Sequence, residues 1–221
     1  LSFHRAALCT GARAAMPSIP GLAESRPYSN ETIFTLTALP ARLAVLGGGP
    51  IGCELAQAFA RFGSQVTVIH HGDHLLGRED ADAAAILQQT FVRESIDLRL
   101  SAQVSRVECE GGERILSFEG SATGEPLRVD AILVAAGRVP NFEGLDLEAA
   151  GIAFDRNGVQ VDDRLQTTNP RVYSAGDICS AYKFTHTADA QARILIANAL
   201  FKGRQKVSRL VVPWCTYTDP E

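Results

Sequence analysis

The sequence predicts an α/β fold: a parallel sheet with crossover helices, followed by an antiparallel meander and a set of shorter strands. Three observations predict it. An apolar run at 42–46 enters a glycine cluster, a helix-spaced stretch follows at 50–62, and a second apolar run lies at 66–69. Together they have the length of one βαβ crossover of roughly 30 residues. Beyond residue 104, three extended segments alternate in the manner of a meander. From Gly158 the chain returns to short strands at Val159–Val161 and Val172–Ser174, then a helix from about Thr187 to Phe201.

Each element has a local reason. Ile51, Leu55, Ala58, Phe59 and Phe62 recur at helical spacing, and Gly63 is a natural stop. Asp80 is a candidate cap for a second helix, Ala81–Glu94, with Ile86, Leu87 and Phe91 facing inward. A third parallel strand is expected at Asp97–Leu100. The meander strands are expected at Val104–Glu110, Glu113–Phe118 and Pro126–Val134, with Gly111-Gly112 as a tight hairpin turn. The stretch from Ser18 to Thr37, with Pro20, Gly21, Pro27, Ser29 and Asn30, reads as a linker.

Composition sets bounds on partners. The chain has 221 residues, 46% hydrophobic and 21% charged, enough for one large or two small domains with an ordinary core. The net charge is −4 and the cations are scattered, which argues against nucleic acid. No apolar run has the ~20 residues of a membrane span. The first residues, broken by His4 and Arg5, do not form a signal peptide. Five cysteines, Cys9, Cys53, Cys109, Cys179 and Cys215, are widely and irregularly spaced, so reduced thiols and a cytoplasmic setting are expected.

Gly47-Gly48-Gly49-Pro50-Ile51-Gly52 fits G-x-G-x-x-G, with a strand before it, a helix after and a second strand beyond. Gly47 suits the tight turn, Gly49 a close approach of backbone to a pyrophosphate, and Gly52 close packing of helix on strand. The helix N-terminus offers free N–H groups to phosphates. The fold is therefore expected to be a Rossmann-like sheet that binds a nicotinamide dinucleotide. The residue closing the second strand normally reads the adenosine ribose, an acid favouring NAD and nearby cations NADP. Here His70 holds that position, with His71 and Arg78 following, which tilts the reading to NADP. The alternatives are that His70 and His71 are solvated loop residues or, with His74, metal ligands; a metal reading lacks supporting ligands.

The segments RLAVLGGGPIGCELAQAFARFGSQVTVI, VAAGRVPN and VYSAGDIC, in this order, resemble the pyridine nucleotide–disulfide oxidoreductases, in particular the mercuric reductase and dihydrolipoamide dehydrogenase group. The resemblance implies transfer of hydride from NAD(P)H to FAD and of electrons onward to a cysteine pair. It implies that Thr10, Gly11 and Asp177, with the helix N-terminus at His186, belong to FAD binding. Gly137 and Arg138 would lie beside the nicotinamide nucleotide, where the plainer reading is a connecting turn. Glu54 would be a catalytic-site residue near the flavin–nicotinamide junction, paired to a lysine of the FAD domain, where the plainer reading is an acid favoured by the helix dipole. Asp177 alone would read as an Asx turn or cap. Pro50 stands where many members carry a gating aromatic.

The resemblance also implies a division of the chain. Residues 1–38 would end an FAD-binding domain and cross over, 39–152 would be the NAD(P)-binding domain, 153–204 a partial return of the FAD-binding domain, and 205–221 the start of an interface domain. Both ends read as interruptions within a longer enzyme, a homodimer, whose redox cysteines lie elsewhere. The chain alone is expected to bind dinucleotide without turnover and to purify colourless. Two alternatives stay open: a related flavoprotein reductase or oxidase without a redox cysteine pair, and a non-catalytic dinucleotide-binding module.

Overall fold

A computed structural model describes residues 3–119 and 125–221. The strands and helices run β1 (Ala6–Leu8), β2 (Ala12–Ala14), β3 (Arg42–Leu46), α1 (Pro50–Phe62), β4 (Gln65–Ile69), α2 (Ala81–Arg93) and β5 (Asp97–Arg99). They continue with β6 (Val104–Glu110), β7 (Glu113–Phe118), β8 (Leu127–Val129), β9 (Ala131–Val134) and β10 (Arg138–Pro140). The last are β11 (Phe154–Asp155), β12 (Gly158–Val159), β13 (Val172–Ser174) and α3 (Thr185–Phe201). The chain divides into two compact units. One comprises residues to Arg13 with Arg138–Trp214, the other Ala14–Gly137 with Cys215–Glu221.

The larger unit is built on a four-stranded parallel sheet in the order β5-β4-β3-β9. β3, β4 and β9 are largely apolar and buried because both faces are covered there, whereas the edge strand β5, Asp97-Leu98-Arg99, is not. Alternation along β3 sends Leu43 and Val45 to one side and Ala44 and Leu46 to the other. Leu43 and Val45 pack with Val68 and Leu133 against Cys53 and Ala56 of α1 and Leu87 and Phe91 of α2. Ala44, Leu46, Ile132 and Val134 pack against Val104, Val107 and Leu116 of the antiparallel sheet β6-β7-β8. The segment before β3 adds to both faces: Ile33 is buried in the helix-side core and Leu22 in the other.

Several expectations need correction. The extended segment anticipated at 126–134 is two strands in two sheets, β8 in the meander and β9 in the parallel sheet. The break falls at Asp130, whose carboxylate accepts hydrogen bonds from the Arg42 amide and guanidinium and so pins the corner to β3. The inward face of α1 is set by Gly52, Cys53, Ala56 and Gln57, leaving Phe62 at 71% exposure. On α2, Leu87 and Phe91 are buried but Ile86 is exposed. Asp80 stands at the N-cap of α2 without a capping side-chain hydrogen bond. Gly63 does end α1, in the left-handed conformation at φ 107°.

In the smaller unit, β1 pairs in parallel with β13, from Ala6 against Val172 to Leu8 against Ser174. β13 again divides two cores: Val172 packs with Leu147, Ile152, Val159 and Ile178, and Tyr173 with Leu165, Ile194 and Leu195. The last two lie on α3, so that helix is tied to the strand preceding Asp177. Among the described residues, no helix is long and apolar enough to cross a membrane.

Phe91 is completely buried where α2 meets the sheet. Phe91→Ala is expected to destabilise the larger unit by about 3–5 kcal/mol. Urea titration followed by circular dichroism checks this, and an unchanged midpoint would contradict the packing described.

Candidate functional site

In open parallel sheets, ligands bind beyond the carboxyl ends of the strands at the point where strand order reverses. Here that point lies between β3 and β9, and Gly47–Gly52 sits at the carboxyl end of β3. Two contacts require glycine. Gly47 has φ +120°, and a Cβ there would stand 2.3 Å from the Ala135 carbonyl oxygen. A Cβ on Gly52 would stand 1.9 Å from the Gly47 carbonyl oxygen. The first turn of α1 therefore rests directly on the turn that precedes it.

Gly49 differs in kind. A Cβ built there meets nothing within 4 Å. No protein atom explains the glycine, and the empty face is what a closely approaching pyrophosphate requires. Gly49 is the N-cap of α1 in extended conformation, with no side-chain cap. Pro50 is the first helical residue and carries no N–H, while the first-turn amides of Ile51 and Gly52 have no intrahelical acceptor. The donor set of this turn thus fits a dinucleotide pyrophosphate.

The loop after β4 covers the same turn. Leu76 N–H donates to the Gly48 carbonyl at 2.8 Å, and Gly48 N–H donates to Nδ1 of His70 at 3.2 Å. His70 meets His71 edge-on, with ring centroids 4.6 Å apart. Burial pushes the His70 pKa below its ordinary value of 6.5, and His71 and His74 push it further down against an opposing Asp73. His71 and Arg78 are exposed on this loop. Among the described residues, no three His, Cys, Asp or Glu side chains come together as a metal-binding group.

Glu54, half-buried on α1, accepts the Tyr217 backbone N–H at 2.9 Å. One turn on, the Gln57 carboxamide both donates to the Asp219 carbonyl and accepts from the Asp219 N–H, at 2.8 Å each. Arg61 pairs with Asp219 at 2.9 Å. Residues 54, 57 and 61 thus hold the segment 217–219 as a strap along the helix. The helical spacing of these polar residues was visible in the sequence; their partner was not.

Gly137 belongs to the larger unit, has φ +110°, and accepts a hydrogen bond from the Ala15 amide. Arg138, Thr10, Gly11, Asp177 and His186 belong to the smaller unit. Thr10 and Gly11 are bonded to Asn141: the Thr10 hydroxyl donates to its carbonyl, and the Gly11 carbonyl accepts its N–H. Arg138 donates to the Ala12 carbonyl, and its Nε lies 3.3 Å from Asp177 Oδ2, an ion pair without hydrogen-bond alignment. Both side chains are mostly buried, and the pairing joins two motif residues that the sequence treated separately. His186, in the first turn of α3, is exposed and stacked on Phe184 at 5.3 Å. Phe184 stacks in turn on Trp214. Gln191 of α3 accepts the Gly176 N–H and donates to Ser180, holding the loop around Asp177 to the helix.

All five cysteines are free. Cys53 is buried, with its thiol against the Gly48 carbonyl, and burial, aided by Glu54, pushes its pKa up to about 12. Burial also raises Cys179. These two thiols are poor nucleophiles, because the thiolate is the reactive form.

The chain belongs to the pyridine nucleotide-disulphide oxidoreductase family, which matches it over residues 1–192. It is 35% identical over 221 residues to a mercuric reductase of Bacillus cereus, covering all of this chain and 35% of that protein. It is 36% identical over 202 residues to the dihydrolipoyl dehydrogenase of Bacillus subtilis, covering 88% of this chain and 43% of that protein. Among solved structures, the HOCl-induced flavoprotein disulfide reductase RclA from Escherichia coli superposes with a TM-score of 0.89 at 34% identity, over 97% of this chain and 49% of that one. The chain therefore spans between about a third and a half of these relatives.

The glycines separate folding from binding. Gly52→Ala is expected to lower the thermal unfolding temperature sharply, because its Cβ overlaps the Gly47 carbonyl. Gly49→Ala is expected to leave that temperature within about a degree and to abolish NADH and NADPH binding. Differential scanning fluorimetry with and without dinucleotide reads both; equal damage from the two substitutions would remove the distinction.

Proposed function

We propose that this chain is the NAD(P)H-binding part of an FAD-dependent oxidoreductase that passes hydride from NAD(P)H to flavin and on to a disulfide or a metal or thiol acceptor. The observation that carries the reading is the Gly47–Gly52 turn at the strand-order reversal, with its Gly49 face open. Family membership supports the redox class. The bound nicotinamide and flavin supply the hydride donor and acceptor.

The chain's own residues bind and orient. The amides of Gly49, Ile51 and Gly52 hold the pyrophosphate, helped by the positive end of α1. Arg78 supplies positive charge and His71 a neighbouring ring nitrogen for a 2′-phosphate, hence NADP over NAD. Glu54 is the acid near the nicotinamide, and its bond from the Tyr217 amide orients the carboxylate. Gly137 and Arg138 border the nicotinamide nucleotide. Thr10, Gly11, Asp177 and the α3 N-terminus at His186 serve the FAD side. Asp177 beside Arg138 is an acceptor for ribityl hydroxyls with its charge balanced. In this reading the NAD(P)-binding domain, expected at 39–152, corresponds to the larger unit built on Ala14–Gly137, and FAD binding to the smaller unit, residues to Arg13 with Arg138–Trp214, of a cytoplasmic homodimer. Cys53 and Cys179, both with raised pKa, are not the electron-accepting pair.

Isothermal titration with NADPH and NADH tests the assignment. NADPH is expected to bind more tightly, with a preference that shrinks as salt rises. Arg78→Ala is expected to weaken NADPH about tenfold, the scale of one charged hydrogen bond, and to leave NADH unchanged. Tighter NADH binding would keep the site and reverse the cofactor preference; no binding of either would remove the reading.

A further inference from the structure

His70 stands where an acid would read ribose, yet its ring is committed to the protein. Nδ1 accepts the Gly48 N–H at 3.2 Å, so that nitrogen carries no proton and Nε2 does. The ring's other end is confined as well: a Cβ on Gly72 would stand 2.8 Å from Nε2, so glycine at 72 makes room for the imidazole. Backbone bonds hold the residue in place, from His70 N–H to the Arg99 carbonyl and from Ala102 N–H to the His70 carbonyl. The Gly48 carbonyl is already taken by Leu76 N–H, so the ring and residue 76 hold both polar groups of Gly48.

We propose that His70 is a positioning residue that latches the glycine turn through the Gly48 amide, and that protonation of Nδ1 opens the latch. A proton on Nδ1 makes it a donor facing a donor, and the bond is lost. The titratable groups facing the ring are His71, His74 and Asp73, all from its own loop. The glycine turn presents only backbone. β5 presents the Arg99 carbonyl, while the Arg99 guanidinium turns to Asp97 and the Phe118 ring. Burial first, and then His71 and His74 against an opposing Asp73, favour the neutral ring. The folded chain then binds this proton less readily than the unfolded chain. The latch is fully present above about 6.5 and is lost as pH falls from there through the lower folded value. The consequence for function rests on the dinucleotide reading: an opened turn binds NAD(P)H more weakly in acid, and His70 contributes no charge to a 2′-phosphate at neutral pH.

Hydrogen exchange of the Gly48 amide, followed by NMR on the 221-residue chain between pH 5 and 8 and corrected for intrinsic exchange, reads the latch without ligand. Protection is expected to fall about fivefold below the His70 transition, the fold-change of a hydrogen bond on the order of 1 kcal/mol. His70→Asn keeps an acceptor that does not titrate, and is expected to keep protection and erase the pH dependence. His70→Leu is expected to show low protection at every pH. Should His70→Leu fail to fold, the Asn variant decides alone. Protection that ignores pH in the native chain, or that keeps the same profile in His70→Asn, overturns the proposal. NADH and NADPH titrations at pH 8 and 5.5 run alongside. Affinity that falls in acid for the native chain but not for His70→Asn extends the latch to binding. Affinity that falls equally in both overturns that extension. Absence of dinucleotide binding at either pH sinks the proposed function and leaves the latch to be judged by the amide alone.

Discussion

The larger unit depends on one close approach: the first turn of α1 resting on the carbonyl of Gly47. That contact is possible only because residue 52 has no side chain, since a Cβ would stand 1.9 Å from the oxygen. It sets the distance of α1 from β3 and so lets Cys53 and Ala56 reach the sheet. It also aims the unpaired amides of the helix start along the carboxyl end of the strand. Packing and binding geometry are here the same constraint, because the helix cannot move away from the sheet without moving its donors.

A second layer of control comes from the loop after β4. Leu75 is fully buried, its neighbour Leu76 bonds the Gly48 carbonyl, and His70 bonds the Gly48 amide. A glycine turn is conformationally permissive, so such bonds select one shape from many. The loop that would read the adenosine end also holds the turn that would bind the pyrophosphate.

Ion pairs fasten particular corners of both units. Arg42 is held by Asp130 and Glu113, which lowers both carboxyl pKa values and fastens the corner where the meander returns to the parallel sheet. Arg138 and Asp177 pair within the smaller unit. His71 and Arg78 are the exposed cation-capable groups on the loop beyond β4. That division, of structural pairs and outward charge, is what a site for a phosphorylated ligand requires.

The sequence by itself determined the parallel sheet, both crossover helices and the glycine turn. Each of these is a local pattern: apolar runs, a 3.6-residue period, and glycines at fixed offsets. It also carried the family resemblance, through three motifs spread along the chain. Its helical spacing marked Leu55 and Phe59, which pack against the core, but also Phe62, which is exposed, because only the sheet decides which side of α1 is covered. It joined β8 to β9, because the signal for their separation is an ion pair between Asp130 and Arg42, 88 residues apart. It placed His70 at the ribose-reading position but carried no signal that its Nδ1 accepts the Gly48 amide across 22 residues of chain. Periodicity and turn chemistry are written between near neighbours. Which polar atom finds which partner is decided only when distant segments pack, because burial forces each donor to the acceptor within reach.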